Sequence, residues 1–106
     1  MPYEGDIRAA VEAAVRTDNI HHPPTTLILL ENARADGRVI GEEILEEIYA
    51  MARGRGIAVH VDGARLFNAA CALGVPVGQL ARHCDSVMCC LSKGLCAPVG
   101  SVLVSS

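Results

Sequence analysis

The order of helical and strand-like segments predicts an α/β fold with an at least partly parallel sheet. Two further observations support this. The apolar runs 26–30 and 57–61 lack the polar alternation of a half-exposed strand, so they read as strands covered on both faces. Polar groups follow such runs at Glu31-Asn32, Asp62 and Ser92-Lys93, and ligands of parallel sheets bind beyond the carboxyl ends of the strands.

Taken in order, residues 6–16 set Ile7, Ala10, Val11, Ala14 and Val15 at helical spacing, and Thr17-Asp18-Asn19 reads as a stop. Pro23-Pro24 forces extended, irregular backbone before the first strand. Residues 32–37 read as a polar loop with an Asp-Gly turn. A second amphipathic helix runs from Gly41 to about Arg53, its glutamates gathered toward the N-terminal half, where the helix dipole favours negative charge. Arg53 to Gly56 close it with the basic residues and glycine that C-termini prefer. Strand 57–61 runs into Asp62-Gly63, and helices over 64–73 and 77–83 follow. Residues 86–91 and 101–105 form the last two strands.

The 106 residues amount to one domain or less. They are 51% hydrophobic and 20% charged, which excludes a disordered chain, although 15 alanines inflate the apolar share. A net charge of −3 leaves no electrostatic footprint for nucleic acid. No run reaches the roughly 18 apolar residues of a membrane helix, and the acidic start lacks the pattern of a signal peptide. Five cysteines, an odd number without secretory context, read as reduced and mostly buried thiols of a soluble, cytoplasmic protein. A metal site on His83, Cys84, Cys89, Cys90 and Cys96 is disfavoured, because the spacing holds no C-x-x-C pair.

Eight of the nine basic residues are arginine, and Lys93 is the single lysine. Lys93 reads either as a solvated loop residue or as a Schiff-base lysine that attacks a carbonyl. Asp62 reads either as a helix cap or as the carboxylate that keeps a pyridinium nitrogen protonated. His60, inside an apolar strand, reads as a satisfied core histidine.

The segments His60-Val61-Asp62-Gly63-Ala64-Arg65-Leu66-Phe67-Asn68-Ala69, Leu91-Ser92-Lys93-Gly94-Leu95 and Ala97-Pro98-Val99-Gly100-Ser101 closely resemble the threonine aldolase family. Upstream, Asp18-Asn19-Ile20-His21, Leu30-Glu31-Asn32 and Gly37-Arg38-Val39 are similar to it in the same order. The resemblance implies part of an aspartate-aminotransferase-like large domain (fold type I) that uses pyridoxal 5'-phosphate. It also implies retro-aldol cleavage of β-hydroxy-α-amino acids such as L-threonine or L-allo-threonine to glycine and an aldehyde. By the same resemblance Lys93 carries the cofactor and Asp62 bonds its ring nitrogen. Arg65 lies on its phenolate side near the substrate, and His21 near the substrate hydroxyl as catalytic base. The substrate is then a small amino acid, and the intact family member a homo-oligomer.

Two local departures stand out. Where the family usually shows Thr-His after Glu-Asn, this sequence has Ala33-Arg34, and Cys96 stands where the family usually has glycine. A glycine there that uses a positive φ leaves the cysteine strained. The resemblance assigns residues 1–106 to the centre of the large domain, without the phosphate-cup region before it and the small domain after it. The alternative function is accordingly a truncated, non-catalytic remnant that does not bind pyridoxal phosphate alone.

Overall fold

The computed structural model describes residues 7–16 and 23–106. Helix α1 (Ile7–Ala14) precedes strand β1 (Leu27–Glu31), helix α2 (Glu42–Gly54) and strand β2 (Ala58–Gly63). Helices α3 (Leu66–Leu73) and α4 (Val77–Leu80), with a 3₁₀ turn at Ala81–His83, lead to strands β3 (Ser86–Cys90) and β4 (Ser101–Ser105). The sheet order is β1-β2-β3-β4, the first three strands parallel and β4 antiparallel to β3. The predicted α/β class and partly parallel sheet are observed.

The core lies on one face of the sheet. Ile28 and Leu30 of β1, Val59 and Val61 of β2 and Val87 of β3 meet Leu45, Ile48 and Ala52 of α2, together with Leu66 and Ala69 of α3. Leu45, Ile48 and Ala52 lie on one face of α2, the apolar face of the amphipathic helix expected there. Strand residues pointing the other way are uncovered: Leu27, Leu29 and Leu103 are 55%, 65% and 69% exposed. This corrects the expectation of strands covered on both faces. The apolar runs are real, but the described helices pack against only one side of them.

Two boundaries and one loop differ from the sequence reading for identifiable reasons. Strand β2 continues through Asp62 and Gly63. Gly63 acts there as a residue of close approach, because a Cβ on it would fall 2.8 Å from the Met88 carbonyl oxygen. Helix α3 consequently starts at Leu66, and Asp62 does not cap it: the N-cap position is Arg65, without a side-chain cap bond. The loop after β1 is not simply polar, since Asn32 is fully buried. Its Oδ1 accepts from the Ile40 N–H at 3.0 Å and its Nδ2 donates to the Ile40 carbonyl at 3.2 Å. The cysteines also depart from expectation. All five are free, but Cys71 and Cys96 are exposed and Cys84, Cys89 and Cys90 only half-buried.

At the opposite end of the sheet, Asp85 joins β2 to α2. Its Oδ2 accepts from the Val59 N–H at 2.8 Å, and the Tyr49 hydroxyl donates to Oδ1 at 3.5 Å. His60 is the satisfied histidine anticipated, with Nδ1 and Ser86 Oγ hydrogen-bonded at 2.6 Å. No described helix is long and apolar enough to cross a membrane.

Candidate active site at the carboxyl edge of the sheet

Because β1, β2 and β3 are parallel, their carboxyl ends open on one edge. Glu31, Asp62, Met88 and Leu103 form one row across that edge. The three polar segments singled out in the sequence therefore converge there. Asp62 is half-buried; its Oδ1 accepts from the Ala64 N–H at 3.2 Å, and its Oδ2 has no partner among the described residues. That bond holds the turn between β2 and α3 and leaves one carboxylate oxygen available. The Asp62 carbonyl also accepts from the Asn32 N–H at 3.0 Å, so the buried asparagine braces this segment.

Lys93 lies in the loop between β3 and β4. The Leu91 N–H donates to the Gly100 carbonyl and the Ala97 N–H to the Leu91 carbonyl, both at 2.9 Å, closing the base of that loop. Within it the Cys96 N–H donates to the Lys93 carbonyl at 2.9 Å, so Lys93 opens a tight turn. The turn is completed by Cys96 at φ +63°, the left-handed region where glycine is at ease. The Lys93 side chain is exposed and pairs with no carboxylate among the described residues.

Asn68 is the residue whose place the sequence reading did not foresee. Its side chain occupies the space a Cβ on Gly94 would need, so α3 packs directly against the lysine loop. A signal was present: Asn68 stands three residues after Arg65, on the same helix face, and Gly94 has no side chain of its own. Arg65 and Asn68 both border a cavity of about 250 Å³ that reaches the loop after β1. A second cavity of about 560 Å³ lies between α3 and the lysine loop, with Phe67, Asn68, Cys71, Gly94 and Leu95 on its walls. The structure thus brings Asp62, Arg65 and the Lys93 loop to one edge. His21 lies outside the described residues. No group of three or more His, Cys, Asp or Glu suited to a metal ion occurs among the described residues.

A parallel sheet with an aspartate at the end of one strand and a lysine loop after the next belongs to a recognisable class. The profile of the beta-eliminating lyase family matches residues 4–106, and the chain belongs to that family. Among its relatives, the low-specificity L-threonine aldolase 1 of Arabidopsis thaliana is 52% identical over 101 residues, covering 92% of this chain and 28% of that protein. The low specificity L-threonine aldolase of Escherichia coli K12 is 45% identical over 96 residues, covering 91% of this chain and 28% of that protein. The chain thus spans between a quarter and a third of the length of these curated relatives. The Leishmania major threonine aldolase structure superposes with a TM-score of 0.76 at 22% identity, over 92% of this chain and 30% of that one. The fold is the partial aspartate-aminotransferase-like large domain that the sequence led us to expect.

Proposed function

We propose that the chain is the lysine-bearing centre of a pyridoxal phosphate-dependent lyase of the threonine aldolase type. It would cleave L-threonine- or L-allo-threonine-like β-hydroxy-α-amino acids to glycine and an aldehyde. The observation that carries this reading is that Asp62, near the end of β2, and the Lys93 loop, which follows β3, lie at the same carboxyl edge of the sheet. Similarity to low-specificity L-threonine aldolases supports it.

The donor set suits two ends of the cofactor. The available Asp62 oxygen is the acceptor a protonated ring nitrogen requires, and the Lys93 amine is the nucleophile its aldehyde requires. When bound, the cofactor supplies a ring that accepts the electrons released at the substrate Cα. Asp62 would keep the ring nitrogen protonated and Lys93 would hold the aldehyde carbon, while Arg65 would orient the phenolate side. His21 is proposed, on the resemblance alone, as the base that takes the proton from the β-hydroxyl. The phosphate cup and the small domain of the intact protein are assigned to segments outside residues 1–106. In this reading the intact protein is a cytoplasmic homo-oligomer serving threonine breakdown and glycine formation.

The single lysine makes the decisive experiment simple. The chain is mixed with pyridoxal phosphate, reduced with borohydride and digested, and the pyridoxyl mass is located by mass spectrometry. Saturable modification at Lys93, weakened by Asp62→Ala, supports the reading. Modification only at the N-terminal amine refutes it for this chain. The uncovered sheet face, with Leu27, Leu29 and Leu103 in solvent, favours a second reading in which these residues alone do not retain the cofactor. The same measurement decides between the two.

A further inference from the structure

The two outer strands of the sheet, β1 and β4, are finished differently. Beside β1, helix α1 closes the flank. Its Ile7 and Val11 pack on the core, and Ala10 and Ala14 share a cavity of about 410 Å³ with Leu29 and Leu30. Glu31 adds a charge at the end of that strand. β4 has no such cover: it pairs with β3 on one side, and all five of its residues are exposed. It also carries no charge, no proline and no bulge, the devices with which edge strands discourage pairing.

The backbone of β4 offers a definite set of bonds at that edge. The Ser106 N–H donates to the Asp85 carbonyl at 3.2 Å, and the Gly100 carbonyl accepts from the Leu91 N–H at 2.9 Å. Those two positions bracket the strand and face β3. Direction alternates along an antiparallel ladder, so Val102 and Val104 also face β3, while Ser101, Leu103 and Ser105 aim their N–H and C=O groups at the open edge. The side chains add a symmetry. Ser101-Val102-Leu103-Val104-Ser105 reads the same in both directions. A second copy laid antiparallel, with Leu103 on the two-fold axis, sets Leu103 opposite Leu103, Ser101 opposite Ser105 and Val102 opposite Val104. The leucine row and the serine rows are the ones whose backbone groups point outward, so they become the hydrogen-bonded rows. No like charges meet, because the strand has none.

We propose that two copies of this chain associate through β4, forming one continuous sheet about a two-fold axis at Leu103. The contact uses the same patch on both copies and leaves each β1 flank closed by α1, so assembly stops at the dimer. One pairing of five-residue strands is a small interface, and interfaces under about 1,200 Å² are weak and transient, so the dimer is concentration-dependent.

The test is sedimentation velocity of the full chain over a dilution series, with amide hydrogen exchange followed by NMR at the two ends of that series. A monomer–dimer equilibrium is expected. Exchange at Ser101, Leu103 and Ser105 should slow as the dimer forms, while Val102 and Val104, already bonded to β3, stay unchanged. Leu103→Lys sets like charges at the axis and should raise Kd roughly tenfold or more. Leu103→Pro removes one outward N–H without touching the β3 ladder and should do the same. Leu27→Lys, on the uncovered face of β1 at the other side of the sheet, should leave Kd unaltered. Circular dichroism checks that each variant is folded, and the exchange pattern of the unsubstituted chain decides the matter without them. A single monomeric species up to about 1 mM, protection that does not alternate along β4, a Kd unmoved by Leu103→Lys, or growth beyond the dimer would each overturn the proposal. Neither pyridoxal phosphate nor Lys93 enters the measurement, so it stands or falls apart from the aldolase reading.

Discussion

Replacing Asn32 with alanine tests how the loop beside Asp62 is held. Asn32 is 0% exposed and is the one buried polar or charged residue among those described. Its carboxamide satisfies both backbone groups of Ile40, itself 2% exposed, with bonds of 3.0 and 3.2 Å. Truncation removes both bonds and leaves a buried donor and a buried acceptor unpaired. Each such group costs about 1–3 kcal/mol, so Asn32→Ala should destabilise the chain by about 3 kcal/mol. A domain of this size has roughly 5–15 kcal/mol in total, so the loss is a large fraction of it. In a urea titration followed by far-UV circular dichroism, a slope of about 1–1.5 kcal/mol per molar turns this into a midpoint lowered by about 2–3 M. A loss below about 1 kcal/mol at unchanged slope would refute the reasoning, because water would then be reaching Ile40 in place of the carboxamide.

Other expectations follow from the same geometry. Cys96→Gly should stabilise the chain by about 0.5–1 kcal/mol in the same titration, since relief of a left-handed φ outweighs the added freedom of the unfolded glycine. Cys96→Ala keeps the Cβ and should change little. Asp85→Ala should cost about 1–3 kcal/mol by orphaning the Val59 N–H, whereas Tyr49→Phe, which loses only the 3.5 Å contact, should cost less than about 1 kcal/mol. Burial, and secondarily the Asp85 charge, raise the Cys84 thiol above its ordinary pKa. Its alkylation should therefore trail that of exposed Cys71 near neutrality and accelerate only at higher pH. Because the folded pKa is the raised one, the associated stability is complete below the unfolded thiol pKa. It is lost as pH climbs through the folded value, so the thermal midpoint should fall on that alkaline side.

Much of the scaffold was legible because it rests on local periodicity. The stripes of α1 and α2 and the apolar runs of β1 to β3 announce themselves within a dozen residues, and strand parallelism follows from the intervening helices. What escaped depends on partners distant in sequence. Asn32 looks like loop chemistry until Ile40, eight residues on, proves to lack any other partner. Gly63 looks like a turn until Met88 of the neighbouring strand is seen against it. The leucines of β1 were expected inside from their unbroken apolar run and the cysteines from their odd number without secretory context, yet burial depends on which layers are present to cover them. At the site, Lys93 and Asp62 were visible as residue types at strand ends. Asn68 was not, since its importance lies in the contact with a glycine 26 positions away.

The two departures from the family pattern act on the edge in different ways. Cys96 alters energy more than geometry. It already occupies the left-handed conformation that the turn requires, and the Leu91–Gly100 and Ala97–Leu91 bonds close the loop around it. The strain therefore weakens the fold without moving the Lys93 backbone out of its turn. Arg34 alters chemistry instead. An arginine on the wall of a cavity that already holds Arg65 changes the charge presented to any ligand there. Here the edge keeps its lysine, its aspartate and its motif arginine, while Ala33-Arg34 replace the family's usual Thr-His and put a second guanidinium on the cavity wall that Arg65 lines.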